Sequence, residues 1–173
     1  RIQRRGPLQL EEILRIGSQI ARGLAAAHAQ GVVHRDIKPA NILLENSVER
    51  VCLTDFGLAK QLQGAHDLRS EGQIMGTPGY MPPEQASGHQ SAVGPHSDVY
   101  ALGATLYHLV TGRPPFYADA PLATLRQTIC DDPVAPRKLN PDVPRDLETI
   151  CLKCVEKPPE RRFATAALLA EEL

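Results

Sequence analysis

Residues 34–41 read HRDIKPAN, which sets a histidine, an arginine, an aspartate, a lysine and an asparagine within eight positions. No amphipathic helix or half-buried strand suits such a cluster, because its charges would fall on every face. Pro39 forbids a helix through it and pushes Lys38 towards an extended conformation. The segment is therefore expected to be a loop. In an extended chain residues two apart share a face, so Asp36 and Lys38 can point at one reacting centre. A carboxylate, an ammonium and an amide gathered there could take up a proton and stabilise developing negative charge.

Such a loop has to be held by regular elements on both sides. Before it, Ile13, Ile16, Ile20, Leu24 and Ala27 recur three or four apart within residues 9–30, giving one apolar face of a helix that Gly31 ends as a left-handed cap. After it come two short apolar runs, NILL and VCLTDFG (51–57), separated by the polar turn ENSVER. They are expected to form a hairpin whose outer ends carry the loop and the DFG. From Leu58 to Met81 there is no sustained period, and a connection of that length inside a compact domain is usually functional. Residues 82–88 read as a short helix opened by proline, and 98–112 as a strongly apolar helix buried on most sides. Helical patterns follow at about 120–130, 144–156 and 164–173, separated by proline-rich turns. The fold class is mainly α, a helical body carrying a small β-hairpin and one long loop.

The 173 residues suffice for one domain or a large subdomain, and the chain starts at Arg1, as expected for a piece of something longer. A net charge of −1 gives no footprint for nucleic acid or an anionic membrane. The longest nearly apolar run, YALGATLYHLV, is too short and too interrupted to span a bilayer. Neither a signal peptide nor an internal repeat is apparent. Of the four cysteines, Cys151 and Cys154 form a CLKC that invites a metal or redox reading. It has no second CxxC, and both fall on the apolar face of a helix beside Leu147 and Ile150, as buried small hydrophobes in a reducing cytoplasm would.

HRDIKPAN, then DFG with Asp55 fourteen residues after Asn41, then GTPGYMPPE, then DVYALG, in that order and spacing, resemble the large, C-terminal lobe of a eukaryotic-type protein kinase over the whole chain. AVGPHSDVYALG, CLKC and the final RRFAT are similar to bacterial serine/threonine kinases, planctomycete-like ones in particular. The resemblance implies ATP and Mg²⁺ as cofactors and serine or threonine hydroxyls of proteins as substrates. Phosphoryl transfer asks a protein for positioning and charge stabilisation rather than covalent chemistry. By resemblance Asp36 is the base that orients the substrate hydroxyl, Lys38 lies on the transferred phosphoryl group, and Asn41 and Asp55 are the Mg²⁺ ligands. Gly57 would let Asp55 and Phe56 swing, Leu43 would floor the adenine pocket, and Thr77 would bond Asp36 and Lys38. His34 is expected to anchor the loop by packing and a hydrogen bond rather than by acid–base chemistry.

Arg35, a cation beside the base, needs an anion, which in this family a phosphorylated activation loop often supplies. Ser70 and Thr77 are candidates, and Glu71 could stand in for the phosphate without modification. Glu84 and Arg162 resemble a buried ion pair locking the activation segment to the helical body, and Asp98 a helix-capping aspartate that holds the backbone of His34 and Arg35. Two departures from the family pattern involve proline: Pro82 stands for an alanine, and Pro158 for an aspartate. No GxGxxG and no VAIK-like lysine occur in these residues, so a small N-terminal lobe ahead of Arg1 is the expected partner. The alternative is a pseudokinase or non-catalytic scaffold, which would have little chemical reason to keep Asp36, Lys38, Asn41 and Asp55 together. The expected location is cytoplasmic, with any membrane anchor outside this segment.

Overall fold

A computed structural model describes residues 8–45, 50–56 and 77–173. Helix α1 (Leu10–Ala29) opens with Glu12 Oε2 accepting the Gln9 N–H at 3.0 Å, and acidic Glu11 and Glu12 suit its first turn. It ends where Gly31, at φ 73°, takes the left-handed conformation and donates to the His28 carbonyl. Its buried face is Ile13, Ile16, Ile20, Ala21 and Leu24, the period that the sequence displays. The hairpin follows: β1 (Ile42–Glu45) pairs antiparallel with β2 (Arg50–Leu53), Ile42 opposite Leu53. Gln19 Oε1 on α1 accepts the Val51 N–H at 3.1 Å and ties the hairpin to the body.

The second strand is shorter than the expected 51–57. It stops at Leu53 because Asp55 takes φ 64°, a left-handed conformation that cannot continue a ladder.

Helix α2 (Pro83–Ala86) is a single turn, and α3 (Pro95–Thr111) is the central post, with every residue from Ser97 to Tyr107 buried. The third helix begins three residues before the expected 98 because Pro95 presets the first-turn φ. Ser97 Oγ also accepts the Gly94 N–H at 3.1 Å. Gly112, at φ 81°, ends it. Around it stand α4 (Pro121–Cys130), the single turn α5 (Pro136–Leu139), α6 (Arg145–Cys154) and α7 (Ala166–Glu172). The core joins the α1 isoleucines to Leu102 and Leu106 of α3, to Leu147, Cys151 and Cys154 of α6, and to Leu169 of α7. All four cysteines are free, and burial pushes the thiols of Cys151, to about 12, and Cys154 well up. They are fillers of the core, as the sequence suggests.

Helices α3 and α6 meet at Gly103, where an added Cβ would stand 2.1 Å from Cys154 Cβ. That atom sits directly on its backbone and cannot rotate away, so the helices themselves would have to part. Gly103→Ala is expected to destabilise the protein by about 3 kcal/mol, the upper end of ordinary overpacking. Urea unfolding checks this, and a loss under roughly 1 kcal/mol would mean that the helices separate cheaply.

Candidate active site

The loop between α1 and β1 is extended at Lys38 (φ −161°, ψ 162°) and closes in a 3-10 turn over Pro39–Asn41. This brings Asp36, Lys38 and Asn41 together. Lys38 Nζ donates to Asp36 Oδ2 at 2.7 Å, and Asn41 Nδ2 donates to the same oxygen at 2.9 Å and to the Asp36 carbonyl at 2.8 Å. One carboxylate oxygen is thus gripped twice, whereas Oδ1 has no hydrogen bond among the described residues. The Asp36 side chain is 41% exposed, so that oxygen is open to an incoming proton donor.

The loop is held from beneath by a buried carboxylate. Asp98 Oδ2 accepts the His34 N–H and Oδ1 the Arg35 N–H, both at 2.8 Å. Asp98 is the fourth residue of α3 and not its cap, so it caps a loop rather than its own helix. Holding two successive N–H groups fits the left-handed φ of 71° at Arg35, which a non-glycine residue adopts only when its surroundings compel it. His28, at the end of α1, adds a third bond, Nε2 to Asp98 Oδ2 at 2.8 Å. His34 is fully buried. Its Nδ1 accepts the Asp36 N–H at 3.3 Å, which leaves Nε2–H to donate to the Thr54 carbonyl at 3.0 Å. Its ring meets Phe56 edge-on, with centroids 4.5 Å apart. Packing and hydrogen bonds therefore hold His34.

The hairpin brings Asp55 to the same end as the loop, because Asn41 O accepts both the Thr54 N–H at 2.9 Å and the Thr54 hydroxyl at 3.3 Å. With Nδ2 committed to Asp36, Asn41 keeps Oδ1 without a protein partner among the described residues. Asp55 is exposed, with one carboxylate oxygen taking a 3.3 Å bond from the Thr54 hydroxyl. One amide oxygen and one carboxylate are hard donors and form no closed cage, a set that fits Mg²⁺ shared with phosphate oxygens and water. On β1 the inward residues alternate, so Leu43 faces outward and is 54% exposed while Ile42 and Leu44 pack on the core. Phe56 is exposed as well.

Arg35 Nη1 is buried with no partner among the described residues. Gly57, Ser70 and Glu71 lie outside the described residues. Thr77 is exposed and opens the 3-10 turn Pro78–Tyr80. Among the described residues its hydroxyl makes no bond to Asp36 or Lys38, which bond each other instead.

Farther out, Glu84 of α2 and Arg162 meet as a buried bidentate pair, Nη1 to Oε1 and Nη2 to Oε2, both 2.9 Å. The other three guanidinium donors reach the carbonyls of Glu156 (2.8 Å), His96 (3.1 Å) and Lys157 (2.8 Å), so all five are used. Burial alone would push the Glu84 carboxyl up, but the hydrogen bonds and charge of Arg162, with the Ser97 hydroxyl at 2.7 Å, hold it below its ordinary value. Pro158 stands just before the 3-10 turn Pro159–Arg161 that carries the chain to Arg162.

The sequence reading missed two contacts, that of His28 with Asp98 and one between Tyr80 and His108. A basic residue in the last turn of α1 was the only signal for the first.

Comparison with known proteins gives this arrangement a family. The protein kinase domain family matches residues 1–173, and the chain belongs to it. The serine/threonine-protein kinase PknB of Mycobacterium leprae is 35% identical over 168 residues, 97% of this chain and 26% of that protein. PknB of Mycolicibacterium smegmatis is 37% identical over 169 residues, 97% of this chain and 27% of that protein. A probable serine/threonine-protein kinase of Clostridium acetobutylicum is 37% identical over 172 residues, 99% of this chain and 26% of that protein. The chain thus spans about a quarter of the length of these relatives. Among solved structures, Rad53 residues 1–466 in complex with AMP-PNP superposes with a TM-score of 0.78 at 23% identity, covering 99% of this chain and 42% of that one. That likeness is one of fold. Among the described residues no helix is long and apolar enough to cross a membrane.

Proposed function

We propose that these residues are the large, C-terminal lobe of a serine/threonine protein kinase. Completed by an N-terminal lobe, it transfers the terminal phosphoryl group of ATP to serine or threonine hydroxyls of proteins in the cytoplasm. One observation carries the reading. Asp36 presents an open carboxylate oxygen on a loop fixed from below by Asp98, while Lys38 and Asn41 hold its other oxygen.

Asp36 accepts the proton of the substrate hydroxyl as that oxygen bonds to phosphorus and the bond to the ADP oxygen breaks. Lys38 lies where negative charge grows on the transferred group. Asn41 Oδ1 and the Asp55 carboxylate would hold Mg²⁺, which would neutralise phosphate charge when bound. Leu43 offers an apolar floor to the adenine ring. Thr77 orients the substrate chain, Gly57 frees Asp55 and Phe56 to move, and Arg35 takes an anion from phosphorylated Ser70 or from Glu71.

The exposure of Leu43 and Phe56 supports a reading in which an N-terminal lobe covers this face. The test joins the chain to the small lobe of a relative and supplies labelled Mg·ATP with a serine/threonine peptide. Phosphate is expected on the hydroxyls. A folded fusion that binds nucleotide yet transfers nothing would instead make the chain a non-catalytic scaffold.

A further inference from the structure

Helices α1 and α7 pack against each other and leave a groove of about 720 Å³ between them. Leu14, Ala25 and Ala170 line it with apolar surface. On the α1 side it carries Arg15 and Arg22, seven residues and so about 10 Å apart along one stripe of the helix. On the α7 side it carries Glu171. Leu168, Glu171 and Glu172 are neighbours at i, i+3 and i+4 on the exposed face of α7, where Leu168 is 45% exposed.

The side chains of Arg15, Arg22, Glu171 and Glu172 are all exposed, and among the described residues none has a hydrogen bond or ion pair. Two cations on one wall thus stay apart from two anions on the other. The remaining charge on the groove, Glu11, stands in the first turn of α1, where the helix dipole suits it. A polyanion such as nucleic acid would meet these glutamates as well as the arginines. A ridge that presents an apolar side chain beside two carboxylates matches the groove better, and α7 is such a ridge. It cannot lie in a groove of which it forms one wall, so the chain carries both halves of a contact that it cannot close on itself.

We infer that this groove is a self-association surface: two copies of the chain pair about a two-fold axis, the α7 ridge of each seated between α1 and α7 of the other. Leu168 then covers apolar lining, and Arg15 and Arg22 converge on Glu171 and Glu172 of the second copy. A two-fold axis makes the same contact twice, which suits a patch that is its own complement. The inference goes beyond the kinase reading and does not depend on it, because the surface includes no residue of the Asp36 loop.

Sedimentation equilibrium of the two-lobe protein is expected to show monomer and dimer in exchange. Arg15→Glu with Arg22→Glu sets like charges against each other in both contacts, as does Glu171→Lys with Glu172→Lys, so each double variant should associate about a hundredfold more weakly. All four positions are exposed, and circular dichroism should show both variants folded as the native protein is. An equimolar mixture of the two variants sets glutamate against lysine or arginine in both contacts and should recover dimer close to the native level. A native protein that stays monomeric at its highest soluble concentration overturns the inference and leaves the groove to a different occupant. A dimer that neither reversal weakens, or two weakened variants whose mixture stays monomeric, overturns it as well, and in each case the kinase reading stands.

Discussion

Asp36→Asn in the two-lobe protein is expected to lower kcat by roughly a thousandfold and to leave the affinity for ATP nearly unchanged. Asparagine keeps the shape of the side chain, and its amide oxygen can still accept from Lys38 Nζ, 2.7 Å from Asp36 Oδ2 in the native loop. What disappears is the open carboxylate oxygen and its charge, which on the proposed reading accept the proton and orient the hydroxyl for attack. That function is exercised only as the hydroxyl loses its proton, so the loss belongs to the transition state and amounts to about 4 kcal/mol. Asp55→Asn should behave differently. On the proposed reading it would weaken a ligand of the Mg²⁺ that accompanies the nucleotide, so affinity and rate should fall together. Steady-state kinetics with a peptide and a nucleotide titration separate the two patterns. Near-normal turnover in Asp36→Asn would remove Asp36 from the role of base.

The cluster was legible because its members are local. Asp36, Lys38 and Asn41 lie within six residues, and extended geometry with Pro39 decides by itself which of them converge. The α1 face and its Gly31 cap were equally plain, since a repeated period and a left-handed glycine are short-range signals. Asp98 required the family resemblance, because nothing local says that a carboxylate in α3 will reach back sixty-four residues to the His34 N–H. His28 and the Tyr80–His108 pair stayed invisible. A single histidine on a helix carries no period, and only the packing of α1 and α3 shows what it faces. Turns such as α5 and the 3-10 segments are shorter than any periodic window, and the first turn of α3, opened by Pro95, fell outside the expected 98–112.

Glu84 and Arg162 should prove strongly coupled in stability. Glu84→Gln leaves a buried guanidinium facing a neutral amide, and Arg162→Met leaves a buried carboxylate facing a thioether. Each is expected to cost on the order of 3–5 kcal/mol, whereas the double variant should cost clearly less than the sum. The reason is geometric. All five Arg162 donors are used, two on Glu84 and three on backbone carbonyls, so the charge is satisfied only while its partner is ionised. The same pair sets a pH dependence. Its folded-state carboxyl titrates below the ordinary value, so the unfolded chain takes up a proton first as pH falls. The stabilisation is therefore complete above the unfolded value and is lost as pH drops through the folded one. Glu84→Gln should flatten the acid limb of the stability curve. Urea unfolding of the four proteins at neutral pH, repeated in mild acid, measures both effects. Additive costs at neutral pH would mean that the pair contributes no mutual stabilisation, and an unaltered acid limb in Glu84→Gln would place the proton uptake on other carboxylates.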